Sequence, residues 1–237
     1  MELEIRIKIL LVGDPGVGKS SFVQYLKLYS RFIIDPQTET KISEIPNSTI
    51  GVNIETIIVN NRVYELWDVS GSQQYKAARH IFYNNFHGIF LVHDLSNSKS
   101  LFNLTSWLRE VNSSSLDSIE TKNDKDNHFD MESGRFSSSG RIMPLLMVGT
   151  KKFEVSNNRN SKGSEQIFSR ASKFSSTIRA EEIHVDNEEN MRYFCNSGYK
   201  NKLDQFLKNC GQFCDSAYSV SGYSKTSINR DTGLRLR

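Results

Sequence analysis

The chain has 237 residues, of which 37% are hydrophobic and 24% charged, and its formal net charge is +3. This length and composition are typical of a globular protein and exclude a collagen, a fibre and a bundle of membrane-spanning helices. So small a charge gives no indication of a nucleic acid as partner. The three cysteines have neither CxxC nor Cys/His metal spacing, so we expect a cytoplasmic, reducing location and no structural zinc.

The two ends of the sequence carry no recognisable targeting or lipid signal. The start, Met1–Glu4, is acidic where a signal peptide would be basic, and Glu2 stands where myristoylation needs glycine. No cysteine follows Cys214, so a prenyl group has no attachment point near the end. We therefore expect neither a myristoyl nor a prenyl anchor.

Strand-like and helix-like patterns alternate along the chain. The predicted elements are, in order, a strand at 4–12, a helix at 20–29, strands at 52–59 and 62–67 joined by a two-residue turn at 60–61, a strand at 89–92, a helix at 101–111, a strand at 143–148, a helix at 165–174, a strand at 182–185 and a helix at 200–210. This alternation predicts an α/β fold with a mostly parallel sheet and helices on both faces.

Three polar segments lie outside this pattern. Residues 31–48 contain two prolines and are predicted to form a long, non-rigid connection. Residues 112–141 carry six acidic against four basic side chains and too few apolar ones to offset the entropy of ordering, which predicts a disordered insertion. The predicted organisation is one domain at 1–210 that contains this insertion, followed by a flexible tail at 211–237.

The most informative motif is Gly13-Asp14-Pro15-Gly16-Val17-Gly18-Lys19-Ser20, which matches GxxxxGK[ST] between a predicted strand and a predicted helix. Backbone N–H groups of such a loop point at phosphate oxygens, and the helix N-terminus adds its positive dipole end. Lys19 is predicted to reach the β- and γ-phosphates, and Ser20 to hold Mg²⁺. Ser21 completes the predicted nucleotide-binding residues of this segment.

Two residues within the motif have alternative interpretations. Pro15 has no N–H, so it either removes one donor from the phosphate cradle or only shapes the turn. Asp14 is expected to be a turn residue and not a catalytic base.

A second motif, Asp68-Val69-Ser70-Gly71, follows a predicted strand. An aspartate at the carboxyl edge of a strand beside the phosphate loop can hold Mg²⁺ and its water, and a glycine three residues later can bring its N–H to the γ-phosphate. Its place after a phosphate loop and a hairpin favours nucleotide binding over a turn-forming aspartate.

With these two motifs the chain resembles the Ras-like small GTPases of the P-loop NTPase fold, and more closely the Rab branch and its Rab-like proteins. The similar segments are Ser48–Val52, Glu65–Asp68, the run 82–95, 144–151 and 180–183. The resemblance implies GTP or GDP as ligand and one antiparallel edge strand. It also implies that Mg²⁺ is held by Ser20, Thr49 and Asp68.

The resemblance further implies that residues 31–52 and 70–80 are two switches that order around the γ-phosphate. We call them switch one and switch two. A switch of this kind acts in signalling, and its implied partners are an exchange factor, an effector or a chaperone of other small GTPases. A homodimer formed through the switches is a further option.

The chain departs from the family pattern after Gly71. Ser72 stands where Ras-like enzymes have the glutamine that orients the attacking water. Ser72 and Gln73 are the candidate catalytic residues, but neither is assigned, because the hydroxyl is short and the glutamine is one position late. We therefore expect slow intrinsic hydrolysis.

The base-recognition motif is incomplete as well. Thr150 and Lys151 are predicted to contact the nucleotide, but Phe153 stands where the family has the aspartate that binds guanine. Glu154 is either a displaced substitute or a surface residue. Specificity for guanine thus follows from the resemblance alone.

These observations predict an atypical GTP-binding switch with slow hydrolysis. The alternative is a pseudo-GTPase scaffold with little nucleotide turnover, and a P-loop kinase is disfavoured because Asp68 belongs to a DxxG motif. Metal binding is not expected for the remaining candidate ligands. His80, His87 and His93 are expected to be satisfied or surface histidines, and Cys210 and Cys214 to be packed or inert thiols.

Overall fold

The computed structural model describes residues 5–37, 46–116, 137–138, 141–152, 161–186 and 190–220. The strands are β1 (Arg6–Val12), β2 (Val52–Val59), β3 (Arg62–Val69), β4 (Gly88–Asp94), β5 (Ser137–Ser138), β6 (Arg141–Ile142), β7 (Leu145–Thr150) and β8 (Glu181–His184). The helices are α1 (Lys19–Ile34), α2 (Lys76–Arg79), α3 (Ser98–Leu116), α4 (Ser161–Thr177), α5 (Met191–Cys195) and α6 (Gly198–Val220). Short 3₁₀ turns, Gln73–Tyr75 and His80–Phe82, flank α2.

Within the described residues, six strands form one sheet in the order β2-β3-β1-β4-β7-β8. Strand β2 runs antiparallel to β3, and the other neighbours are parallel. The predicted class is confirmed: an α/β P-loop NTPase fold whose mostly parallel sheet has one antiparallel edge strand.

Helices cover both faces of the sheet. On one face, Leu26 of α1, Phe194 of α5 and Leu203 of α6 share an apolar cluster with the sheet. On the other face, Leu104 of α3 and Ala171 of α4 belong to a second cluster. In the described ranges, no helix combines the length and the apolar character that crossing a membrane requires.

The central strand β4 is buried along its whole length, which explains its continuous apolar sequence. It pairs with β1 on one side and β7 on the other, so the carboxyl ends of these three strands lie together. Loops that follow this edge of a parallel sheet are where ligands bind in open α/β folds.

The hairpin between β2 and β3 has the predicted two-residue turn. Asn60 and Asn61 have φ values of 50° and 59°, and Val59 pairs directly with Arg62. Asparagine tolerates this left-handed conformation better than most residues, so the Asn-Asn pair fixes the register of the hairpin.

The last helix is longer than the sequence pattern predicts. It continues from Cys210 to Val220, with Cys214 buried and Asp215 bonded to Arg62 at 2.8 Å. The predicted start of the tail at Gly211 is therefore too early, because residues 211–220 belong to the helix. Residues 221–237 lie outside the described part of the chain.

Both ends of the predicted insertion at 112–141 belong to regular elements. Helix α3 continues to Leu116, and the two-residue strands β5 and β6 pair with each other near its other end. Residues 117–136 and 139–140 lie outside the described ranges. Residues 31–34, predicted to be part of a non-rigid connection, form the last turn of α1, because Phe32 is buried against the core.

Candidate nucleotide-binding site

The phosphate loop connects β1 to α1, and its glycines meet steric demands of the backbone. Gly13 has a φ of 152°, and a Cβ there would lie 2.1 Å from the carbonyl oxygen of Val92. Gly18, directly before α1, has a left-handed φ of 89°. The loop shape that the motif predicts is thus present, since only glycine fits both conditions without strain.

Lys19, the first residue of α1, is buried in this loop. Its Nζ donates to the carbonyl oxygens of Gly13 and Asp14, both at 2.9 Å. Burial lowers the pKa of Lys19 to about 8, although the nearby carboxylates of Asp68 and Asp14 act in the opposite direction. A phosphate group next to this ammonium would offset the unfavourable burial of its charge.

The three residues predicted to hold Mg²⁺ come from three different elements and meet at one point. The Ser20 hydroxyl donates to Asp68 Oδ2 at 2.6 Å, the Thr49 hydroxyl donates to the same oxygen at 2.9 Å, and the two hydroxyl oxygens are 2.9 Å apart. Asp68 is 1% exposed.

The other oxygen of Asp68 indicates what this cluster can bind. Oδ1 is buried and accepts a hydrogen bond from none of the residues that the structure describes. A buried carboxylate oxygen without a partner is unfavourable, and a hard divalent cation such as Mg²⁺ prefers oxygen ligands of this kind. The donor set therefore fits Mg²⁺.

Gly71 lies directly against the phosphate loop. A Cβ at this position would come within 2.5 Å of the backbone nitrogen of Pro15 and 2.7 Å of the carbonyl oxygen of Gly13. The preceding residue is tied to the end of switch one, because the Ser70 N–H donates to the Gly51 carbonyl at 2.9 Å. The structure thus brings both switches to the phosphate loop.

The candidate catalytic residues are placed less favourably. Ser72 is partly exposed, and its N–H lies 3.4 Å from the Ser70 hydroxyl. Gln73 and Gln74 follow in a 3₁₀ turn with exposed side chains. Among the described residues, no hydrogen bond joins either glutamine to Ser20, Thr49 or Asp68.

Thr150 and Lys151, at the end of β7, contact the neighbouring strand β4, and Thr150 also contacts the phosphate loop. The Thr150 hydroxyl is within 2.6 Å of the Val17 carbonyl oxygen and 3.1 Å of that of His93. Lys151 has a left-handed φ of 56° and donates to Asp94 Oδ2 at 2.5 Å. Phe153 and Glu154 lie outside the described residues.

Sequence reasoning missed the contacts that support the loop. Asp14 is not only a turn residue, because its carboxylate accepts hydrogen bonds from Asn103 at 2.6 Å and from Trp107 at 2.9 Å. Arg79, which belongs to no sequence motif, is buried and pairs with Glu110 of α3. No local pattern marks these pairs, since their members are far apart in the chain.

Of the other candidate ligands, His80 is exposed, whereas His87 is partly buried and His93, Cys210 and Cys214 are buried. Burial lowers the pKa of His93 to about 4, while His87 Nδ1 accepts a hydrogen bond from the Lys8 N–H at 3.0 Å. Cys210 and Cys214 are buried in the core between α6 and the sheet. Among the residues with described positions, no three His, Cys, Asp or Glu side chains are grouped to hold a metal ion.

Comparison with known proteins agrees with this geometry. Residues 8–121 match the family described as "Ras of Complex, Roc, domain of DAPkinase". The chain is 32% identical over 220 residues to Rab-like protein 3 of Danio rerio, and this alignment covers 85% of this chain and 84% of that protein. It is 30% identical over 220 residues to Rab-like protein 3 of Homo sapiens, with 85% and 83% covered. It is also 30% identical over 165 residues to the small GTPase LIP1 of Arabidopsis thaliana, with 67% and 44% covered.

Proposed function

Because the chain belongs to the Rab-like protein 3 family of Ras-like small GTPases, we propose that it is a GTP-binding switch whose output is nucleotide-dependent binding of protein partners. Guanine nucleotide binding is the common property of Ras-like GTPases. The observation that carries the proposal is the meeting of Ser20, Thr49 and Asp68 at one point beside Lys19. A P-loop lysine next to such an oxygen cluster is the arrangement that binds a nucleotide phosphate together with Mg²⁺.

The switch property rests on Thr49 and Gly71. Thr49 precedes β2 in switch one, and Gly71 follows β3 in switch two, so both approach the phosphate loop from outside it. Ser20, Thr49 and Asp68 would hold a Mg²⁺ ion, which supplies positive charge to the phosphate oxygens when it is bound. A γ-phosphate would give both switches a shared partner, and its loss would release them.

We propose further that intrinsic hydrolysis is slow. The short side chain of Ser72 cannot reach as far as the usual glutamine, and the side chains of Gln73 and Gln74 are exposed. Water therefore lacks a well-placed group to orient it for attack on the γ-phosphate. The same residues are also compatible with the alternative function, a pseudo-GTPase scaffold.

Weak contact with the base is also proposed. Lys151 is held by Asp94 through the 2.5 Å hydrogen bond, and the aspartate that binds guanine in the family is replaced by Phe153. Loss of that contact is expected to speed nucleotide release, because affinity differences among related complexes appear mainly in dissociation rates.

The surface near the switches supports a protein partner. Three isoleucines are exposed there: Ile50 at 78%, Ile54 at 46% and Ile81 at 55%. Apolar side chains in such positions would be covered by an effector, an exchange factor, a GTPase chaperone or a second copy of the chain. Their position beside both switches would make such binding depend on the nucleotide.

One experiment tests the proposed function. The protein is purified without added nucleotide, the bound nucleotide is extracted, and GTP, GDP and ATP analogues are titrated with Mg²⁺. Retained or tightly rebound guanine nucleotide supports the switch, no binding supports the scaffold, and a preference for adenine contradicts both.

Two variants complete the experiment. Lys19→Ala should abolish binding, because it removes the phosphate-facing ammonium. Lys99→Ala is the matched control, since this lysine is exposed at the start of α3. Undiminished affinity in Lys19→Ala would show that the phosphate-loop assignment is wrong.

A further inference from the structure

The most deeply buried arginine of the described residues lies in switch two. Arg79 ends α2 and is 1% exposed. Its Nε and Nη2 donate to the two carboxylate oxygens of Glu110 at 2.7 and 2.8 Å. A buried guanidinium needs a partner of this kind, and the bidentate geometry fixes its plane.

The remaining donor contacts of Arg79 go to the backbone around Gly71. Nη1 donates to the carbonyl oxygens of Ser70 and Ser72, both at 3.1 Å. The Ser70 carbonyl is part of the Ser70–Gly71 peptide group, and the Ser72 carbonyl is part of the Ser72–Gln73 group, one residue beyond the glycine that lies against the phosphate loop. One nitrogen therefore holds both peptide planes.

The contact between Arg79 and the Ser70 carbonyl determines where the Gly71 N–H points. The peptide bond between Ser70 and Gly71 is trans, so the Gly71 N–H points away from the Ser70 carbonyl. Arg79 binds the carbonyl side, which leaves the N–H on the side opposite Arg79. A hydrogen bond to the carbonyl also polarises the peptide group and strengthens its N–H as a donor.

Helix α3 provides a common support for Arg79 and the phosphate loop. Glu110 lies three residues after Trp107 on this helix, so both side chains are on one face. The Arg79 guanidinium carbon is 4.3 Å from the centre of the Trp107 ring, and the same ring donates its N–H to Asp14 at 2.9 Å. Glu110 thus supports switch two through Arg79, and Trp107 supports the phosphate loop through Asp14.

We propose that Arg79 is a positioning residue that orients the Gly71 N–H towards the γ-phosphate and so allows the protein to distinguish GTP from GDP. The proposal rests on the proposed function of GTP binding. Arg79 acts through Gly71 and does not touch the nucleotide, because its side chain is buried and its Nε, Nη1 and Nη2 are all engaged in hydrogen bonds within the protein.

The test uses two variants that treat the buried charge differently. Arg79→Lys keeps the positive charge beside Glu110, but a single ammonium cannot span the carboxylate and both carbonyls. The double variant Arg79→Met with Glu110→Gln removes both charges, so that no unpaired charge remains buried. Arg62→Met is the control, because it breaks an ion pair with Asp215 on partly exposed side chains, outside the Arg79 cluster.

Dissociation constants are measured for GDP and for a non-hydrolysable GTP analogue, both with Mg²⁺. Only the analogue offers a γ-phosphate to the Gly71 N–H. Both Arg79 variants should therefore lose about 10- to 100-fold in affinity for the analogue and less than about threefold in affinity for GDP. Arg62→Met should change neither constant. Hydrogen exchange at residues 71–73 of the nucleotide-free protein should become faster in both Arg79 variants.

The outcomes separate this inference from the proposed function. Equal losses for GDP and the analogue would show a general structural role and overturn the inference alone. Unchanged hydrogen exchange at residues 71–73 in both Arg79 variants would also overturn the inference. If the unmodified chain binds neither nucleotide, the proposed function and the inference fail together.

Discussion

The indole N–H of Trp107 donates a 2.9 Å hydrogen bond to the Asp14 carboxylate, which joins the middle of α3 to the phosphate loop. Asn103, one helical turn earlier, donates to the other oxygen of the same carboxylate at 2.6 Å. The phosphate loop is thereby held by a helix that follows β4 in the sequence. Its shape depends on side-chain contacts as well as on glycines.

Replacing Trp107 by Phe should lower the free energy of unfolding by about 1–3 kcal/mol, because it leaves one oxygen of a partly buried carboxylate without its donor. The midpoint of urea unfolding, followed by circular dichroism, measures this change. Trp67→Phe is the matched control. Its indole donates at 3.2 Å to Glu65, which also pairs with the exposed Arg6, so its loss should have the smaller effect. Equal losses in the two variants would contradict this account.

Gly71→Ala should weaken binding of a GTP analogue by about tenfold or more, since the new Cβ would meet the backbone of Pro15 and Gly13 and the loop must shift. Titration of the analogue with Mg²⁺ measures the change. Gly198→Ala, where a Cβ would meet nothing within 4 Å, is the control and should bind normally. Normal binding by Gly71→Ala would show that close approach of this residue is not needed.

Ser72→Gln should accelerate single-turnover GTP hydrolysis by about tenfold or more, which corresponds to a barrier lower by about 1.4 kcal/mol. The reason is that a longer amide can orient the attacking water. Gln73→Ala tests the neighbouring candidate and should leave the rate unchanged, because that side chain is exposed. An unmodified chain that already hydrolyses GTP as fast as ordinary Rab enzymes would refute the prediction of slow turnover.

Stability should fall as the pH decreases from about 6.5 to about 4 because of His93. Burial lowers its pKa from 6.5 to about 4, and neither ring nitrogen has a hydrogen-bond partner in the described part of the chain. The unfolded chain therefore binds more protons in this range, which removes at most about 3 kcal/mol of stability. His93→Leu should flatten this part of the pH profile in urea unfolding. An unchanged profile would indicate that other groups cause it.

A chain that ends after Cys210 should be less stable than one that ends after Val220 by about 2–4 kcal/mol. The shorter chain lacks Cys214, which is buried, and Phe213, which packs against the second apolar cluster. It also lacks the Asp215 partner of Arg62. Thermal unfolding of the two chains gives the comparison, and equal stabilities would show that residues 211–220 contribute little to the fold.

The regular elements and the shape of the glycine-rich loop could be predicted because their signals are local. The apolar run of β4, the glycines before Lys19 and the Asn-Asn turn each act on neighbouring residues through burial or backbone sterics. Element ends were less predictable. Helix α6 runs past Cys210 because Cys214 finds a place in the core, and no periodicity in the sequence shows where tertiary contacts end.

The sequence by itself determined that a phosphate loop, an Asp68–Gly71 motif and a mostly parallel sheet would occur together, because each depends on residues adjacent in the chain. Only the tertiary structure decided which distant side chains support them. Arg79 and Glu110 are 31 positions apart, and Asp14 and Trp107 are 93 apart. In the sequence these charged residues look like surface positions. The packing of α3 against β4 and switch two buries Arg79 and partly buries Glu110 and Asp14. Their pairing follows from this, since a desolvated charge is stable only where the fold supplies its counterpart.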